Sequence, residues 1–118
     1  MKSSQFSRGL ALFNRADFFA AHEALEDVWR EAPEPERKFL QALIQTAVAF
    51  HHYSKGNPIG ARSLLVRALR NLENYPAEFG GLDLGPLRQS IADWQAALDH
   101  GNPPPPLPAF KSCVVREK

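Results

Sequence analysis

The sequence holds one cysteine, Cys113, one threonine, and only eight valines and isoleucines in 118 residues. A lone thiol cannot close an internal disulfide, so the fold cannot depend on one, and this usage suits a reducing, cytoplasmic compartment. Thirty alanines and leucines outweigh the nine β-branched residues, which disfavours a sheet-based fold. Charge of one sign is lacking as well: 14 basic against 13 acidic residues leave a formal net charge of +1 at pH 7. No overall field draws the chain to nucleic acid, to an acidic membrane surface or to an anionic substrate. The first apolar stretch is interrupted by Arg8, Asn14, Arg15 and Asp17, so neither a signal peptide nor a membrane span is expected. No glycine-rich phosphate loop and no Gly-x-Ser-x-Gly turn occurs, and Cys113 follows a run of prolines. A phosphate cradle or a nucleophile–base set therefore cannot be assembled.

What the chain does have is apolar residues at helical spacing, punctuated by proline and glycine. Five helices are expected near residues 5–14, 17–32, 35–55, 58–75 and 84–99. Ser3 or Ser4 and Asp17 are candidate N-caps for the first two, and Pro35 suits the first position of the third. The third helix is the most apolar, with Phe39, Leu40, Leu43, Ile44, Ala47, Val48 and Phe50 covering most of its circumference, and should be central. Gly56 in a left-handed cap and Asn57-Pro58 make a short link to the fourth helix. The segment from Glu78 to Gly81 reads as a loop. In the last helix Leu84, Leu87, Ile91, Trp94 and Leu98 form a narrow seam, for the chain's own bundle or for a second copy. The reading is an all-α, compact bundle of about five helices in one domain, residues 1–101. A proline-rich C-terminal tail, residues 102–118, should dock through Leu107 and Phe110.

Chemistry concentrates in His22-Glu23-Ala24-Leu25-Glu26. His22 and Glu26 fall within the stripe Phe18, Leu25 and Trp29 that should face the core, with Glu23 at its edge. A buried carboxylate must be compensated. Glu26 can pair with His22 one turn away, or with Gln45, His51 or His52 on the central helix. Alternatively His22, Glu26 and His52 could hold a divalent zinc, iron or manganese ion, with Glu23 as general base. The metallopeptidase pattern His-Glu-x-x-His has Glu26 in place of its second histidine, and the Glu-x-x-His of di-metal bundles is missing. Arg62, Arg67 and Arg70 line one side of the fourth helix, where a solvated face explains them.

Phe13-Asn14, the run Phe18-Phe19-Ala20-Ala21-His22-Glu23-Ala24-Leu25-Glu26-Asp27-Val28-Trp29, then Leu43-Ile44-Gln45, His52, Gly56-Asn57 and Gly60-Ala61 together resemble domain-of-unknown-function family 309. The resemblance extends from Phe13 to about Leu72. It implies a small multi-helical protein of bacterial or archaeal type and a candidate site at His22, Glu23, Glu26, Trp29, Gln45 and His52, and it supplies no reaction. A binding or interaction role toward a small molecule or a protein, as monomer or homodimer and without nucleic acid or membrane, is the favoured expectation. A metal-dependent hydrolase is the alternative.

Overall fold

The punctuation seen in the sequence is where the helices end. In the structure, a computed structural model that describes residues 4–111, the order is α1 (Ser4–Asn14), α2 (Phe18–Arg30), α3 (Glu34–Ser54), α4 (Pro58–Leu72), β1 (Glu78–Phe79), β2 (Leu82–Asp83) and α5 (Leu84–His100). The all-α class holds, with strand confined to the four residues of one hairpin among those described. Ser3, Cys113 and the remainder of the tail from residue 112 lie outside the described residues. No helix among the described residues is long and apolar enough to cross a membrane.

Two helix ends share one geometry. At the end of α3, Gly56 has φ +80°, its N–H donates to the Tyr53 carbonyl at 3.0 Å, and Asn57 N donates to His52 O at 2.9 Å. This pair of bonds is the Schellman motif, which places a left-handed residue just past the helix. Asn57 also opens α4, its side chain accepting from Gly60 N at 3.0 Å. At the end of α1 the same bonds run from Ala16 N to Phe13 O, 2.8 Å, and from Asp17 N to Leu12 O, 2.9 Å. Here the left-handed residue is an alanine, Ala16, with φ +65°, a conformation that costs a Cβ-bearing residue energy. Asp17, expected as a side-chain cap for α2, makes no such bond. Its N–H closes α1, and its carbonyl opens α2 by accepting from Ala21 N at 3.0 Å.

Helix α4 stops at Leu72 rather than near residue 75. Tyr75 precedes Pro76, and a residue before proline is disfavoured in the helical region. Arg88 of α5 takes over the freed carbonyls, its Nη2 donating to Leu72 O at 2.7 Å and to Tyr75 O. The Tyr75 hydroxyl, in turn, accepts from Phe39 N at 3.1 Å and donates to Pro35 O at 2.9 Å, tying the loop to the first turns of α3. Gly80 and Gly81, at φ +61° and +80°, make the two-residue turn of the hairpin in place of the expected loop. The hairpin lays Phe79 edge-on against Phe39, centroids 5.0 Å apart.

Helix α3 lies between α2 and α4, with α1 on α2 and α5 on α4. It buries Phe39, Leu40, Ala42, Leu43, Thr46, Ala47, Ala49 and Phe50. Thr46 disposes of its hydroxyl by donating to Ala42 O at 2.8 Å, the usual escape for a buried threonine in a helix. Leu84, Leu87, Ile91 and Trp94 of α5 are buried inside the same core, Trp94 meeting Phe50 at 4.9 Å and Tyr53 at 5.0 Å edge-on. That seam closes the chain's own bundle, so it does not supply a homodimer interface. Arg62 of α4 pairs with Asp99 of α5. The hydrogen bond to Asp99, and then its charge, raise the pKa of that guanidinium.

Residues 102–110 form no helix or strand and return across the bundle. Trp94 Nε1 donates to Pro106 O at 3.0 Å, and the Phe110 ring stacks on Phe13 with centroids 3.8 Å apart and planes 9° from parallel. Asn14 brackets the Phe110 backbone, accepting from its N–H at 2.8 Å and donating to its carbonyl at 3.3 Å. Asp83 N donates to Lys111 O at 2.9 Å. Leu107 does not dock as expected: it is 49% exposed. The buried residues of this segment are Pro108 and Phe110 instead.

Phe110→Ala should cost about 3–5 kcal/mol, the loss for a buried phenyl group. Asn14→Ala should cost about 1–3 kcal/mol by stranding backbone groups of Phe110. Urea denaturation measures both, and unchanged midpoints would show that the tail is not part of the fold.

Candidate functional site

Helix α2 buries Phe18, Ala21, Ala24 and Leu25. At 100° per residue these span an arc whose middle lies near Ala21, turned well away from His22 and Glu26. The two small alanines move the buried face toward α1, where Gly9 sits so close to Leu25 that a Cβ there would lie 2.8 Å from its side chain. His22 and Glu26 are consequently at the margin of the interface, their side chains 23% and 38% exposed. The deep burial expected from the Phe18–Leu25–Trp29 stripe is thus corrected to half-burial.

The pair itself forms. His22 Nε2 is 3.6 Å from Glu26 Oε1, an ion pair whenever the imidazole is protonated. The ladder continues to Arg30, whose Nη2 is 3.6 Å from the same oxygen and whose Nη1 is 2.6 Å from Asp27 Oδ1. On the other side His22 packs against Phe19, ring centroids 5.7 Å apart, and Phe19 packs against His51 of α3 at 5.4 Å. Thus His51 is the α3 histidine that meets the Phe19 ring, and His52 follows at 6.4 Å from His51. Phe19 is 52% exposed. The Nδ1 atom of His22 is shielded from water and has no hydrogen-bond partner among the described residues.

The other expected members stand apart. Gln45 turns to α4, its Oε1 accepting from Asn71 Nδ2 at 2.9 Å. Trp29 lies beneath the Arg37 guanidinium, 4.0 Å from Cζ to the ring centroid. Arg37 Nη1 also donates to Trp29 O at 3.0 Å, so one arginine covers the ring and the negative end of α2 at once. Glu23 is exposed and lines a polar groove of about 370 Å³ between α1 and α2 with Gln5, Arg8, Glu26, Asp27 and Arg30. The single cluster expected between α2 and α3 is therefore dispersed: His22–Glu26, Gln45–Asn71 and Trp29–Arg37 are separate pairs, and Glu23 and His52 belong to none of them. Among the described residues no three His, Cys, Asp or Glu side chains are placed to hold one metal ion.

Phe19, His51 and Arg37 carry more of this geometry than the sequence reading assigned to them. Phe19 was open to inference, because it directly follows buried Phe18 and must point about 100° away from it. Arg37 was not: its partner Trp29 lies across the turn at Pro33, whose geometry no spacing rule supplies.

The family model described as "Domain of unknown function (DUF309)" matches residues 6–64, which hold α1, α2, α3 and the first part of α4. An uncharacterized protein of Aquifex aeolicus (strain VF5) is 33% identical over 105 residues, 88% of this chain and 30% of the relative. The uncharacterized protein YpuF of Bacillus subtilis (strain 168) is 40% identical over 102 residues, 84% of this chain and 55% of the relative. The chain thus spans about a third to a half of these two relatives. With half of its length matched, the chain belongs to the DUF309 family.

Half-burial sets the size of the His22–Glu26 coupling. A double-mutant cycle of His22→Ala and Glu26→Gln should give about 0.3–0.5 kcal/mol, as for other one-turn pairs open to solvent. A coupling of about 3 kcal/mol, read from denaturation midpoints, would mean that the pair is sealed from water after all.

Proposed function

We propose that this member of the DUF309 family is a recognition domain that binds a protein partner through the α2–α3 face where Phe19, His22 and His51 meet. The observation that carries the reading is the position of Phe19: a phenyl ring 52% exposed, held between two imidazoles on two packed helices. An aromatic side chain that is rigid and half solvated gains most by insertion into a partner's apolar pocket, and such rings dominate protein interfaces. A small-molecule site would instead call for a hollow. Around Phe19, imidazole nitrogens, Glu26 and Arg30 provide the polar rim that interfaces carry.

In the relatives the matched parts make up 30% and 55% of longer chains, so this domain's counterparts occur joined to further sequence. The metal-dependent hydrolase is less well served by the geometry, because Glu23 lines the groove on the α1 side while the histidines meet Phe19 on the α3 side.

Photo-crosslinking in the native cell tests the proposal. With p-benzoylphenylalanine in place of Phe19, one adduct of discrete mass should form, and it should vanish on His51→Ala. The same probe in place of exposed Glu31 should give no such adduct. Equal adducts from both positions, or none from position 19, would overturn the reading. Phe19→Ser should cost about 1 kcal/mol, roughly half of what full burial of the ring is worth, and so leave the fold intact.

A further inference from the structure

A second surface, independent of the Phe19 face, lies on the opposite hairpin. The groove between α4 and α5 has a volume of about 480 Å³ and is lined by Val66, Leu69, Arg70 and Glu73 from α4 and by Arg88 and Gln95 from α5. Its size is that of a small-ligand site. Val66 and Leu69 supply apolar surface. Arg88 and Gln95 are seven residues apart, two turns, and therefore lie on one side of α5 about 10 Å from each other along the axis.

The polar ends of this groove are unfinished. Arg88 is pinned through Nη2 to the carbonyls of Leu72 and Tyr75, yet among the described residues its Nε has no hydrogen-bond partner, and neither has Gln95 Oε1. Both atoms are shielded from water. Buried polar atoms are paired in the great majority of cases, so two unpaired atoms on side chains that line one groove ask for an explanation. One is a donor on a permanent cation and the other a neutral acceptor. A complementary ligand has an anion at one end, an N–H about 10 Å away and apolar groups between. Three residues of extended peptide cover that span, at about 3.3 Å each.

We infer that the α4–α5 groove binds the end of a peptide with a free C-terminal carboxylate. The carboxylate sits against Arg88, with Arg70 as a second cation, and a main-chain N–H donates to Gln95 Oε1. The peptide's apolar side chains rest on Val66 and Leu69. Arginine suits this task because its fork of donors matches the two carboxylate oxygens. Arg88 keeps Nη2 on the carbonyls of Leu72 and Tyr75 and meets the carboxylate with the rest of its guanidinium, and a rotated side-chain amide of Gln95 turns Oε1 outward to the ligand.

Titration of the full chain with the tripeptide Ala-Leu-Val, free acid against C-terminal amide, tests the inference by amide chemical shifts. The acid should saturate, with its shifts confined to residues 66–73 and 88–95, and the amide should bind about tenfold or more weakly, the loss of a charge-assisted hydrogen bond. Gln95→Leu removes the acceptor and should weaken the acid about tenfold by the same reasoning, without lowering the melting temperature. Because Arg88 also holds the end of α4, Arg70→Ala serves as the second variant and should weaken the acid several-fold. Equal binding of acid and amide, shifts elsewhere on the chain, full affinity in Gln95→Leu, or no saturation at about 10 mM peptide, the far weak end of the affinity scale, would overturn it.

Discussion

The structure depends on covering the apolar faces of α3. Its buried residues, from Phe39 and Leu40 to Ala49 and Phe50, leave solvent only the strip that carries Lys38 and Gln41; exposing any other side would lose much apolar burial. The two connections beside it are too short to do anything but fold α2 and α4 back along it, and each does. Alanines allow the close approach: Ala42, Ala47 and Ala49 on α3 and Ala61 and Ala68 on α4 are buried. The flanking helices then complete the cover. Gly9 brings α1 onto Leu25 of α2, and Trp94 of α5 reaches past α4 to meet Phe50.

The chain's two ends are joined by the same logic. Phe13, at the end of α1, has T-shaped neighbours in Phe18 and Phe50 and would still present one flat side. Phe110 covers that side by stacking. A proline-rich segment loses little conformational freedom on docking, so a few anchors at Pro106, Pro108 and Phe110 suffice to hold it. Leu107, between them, remains outward.

How much of this was legible in the sequence follows from the range of each interaction. The end of α3 and the start of α4 were, because proline, Gly56 and Asn57 act within a few residues of themselves, whereas the end of α4 at Leu72 was not. The central place of α3 was, because its apolar residues cover most of its circumference. The His22–Glu26 contact was, since one turn separates the two residues. The depth of that pair was not: a stripe drawn through the large residues Phe18, Leu25 and Trp29 ignored Ala21 and Ala24, and it is the small residues that let α1 approach. The choice between His51 and His52 needed the register of α2 on α3, which Phe19 reports only once the helices are packed. Likewise Gln45 with Asn71, 26 positions apart, and Asn14 with Phe110, 96 apart, are set by tertiary structure.

Function sits on what this packing leaves over. The core consumes the α5 seam and spares the outward edges of α2 and α3, where an aromatic ring and two histidines meet on rigid elements. Rigid helices position such groups more accurately than loops do. Everything then rests on α3 as the last element to open. Native-state hydrogen exchange in increasing denaturant measures this directly. Amides from Leu40 to Phe50 should exchange only through global unfolding, with the free energy that denaturation gives for the whole chain, while those of α1 open earlier. Exchange of the α3 amides through cheaper, local openings while α1 or α5 stays protected would contradict the account.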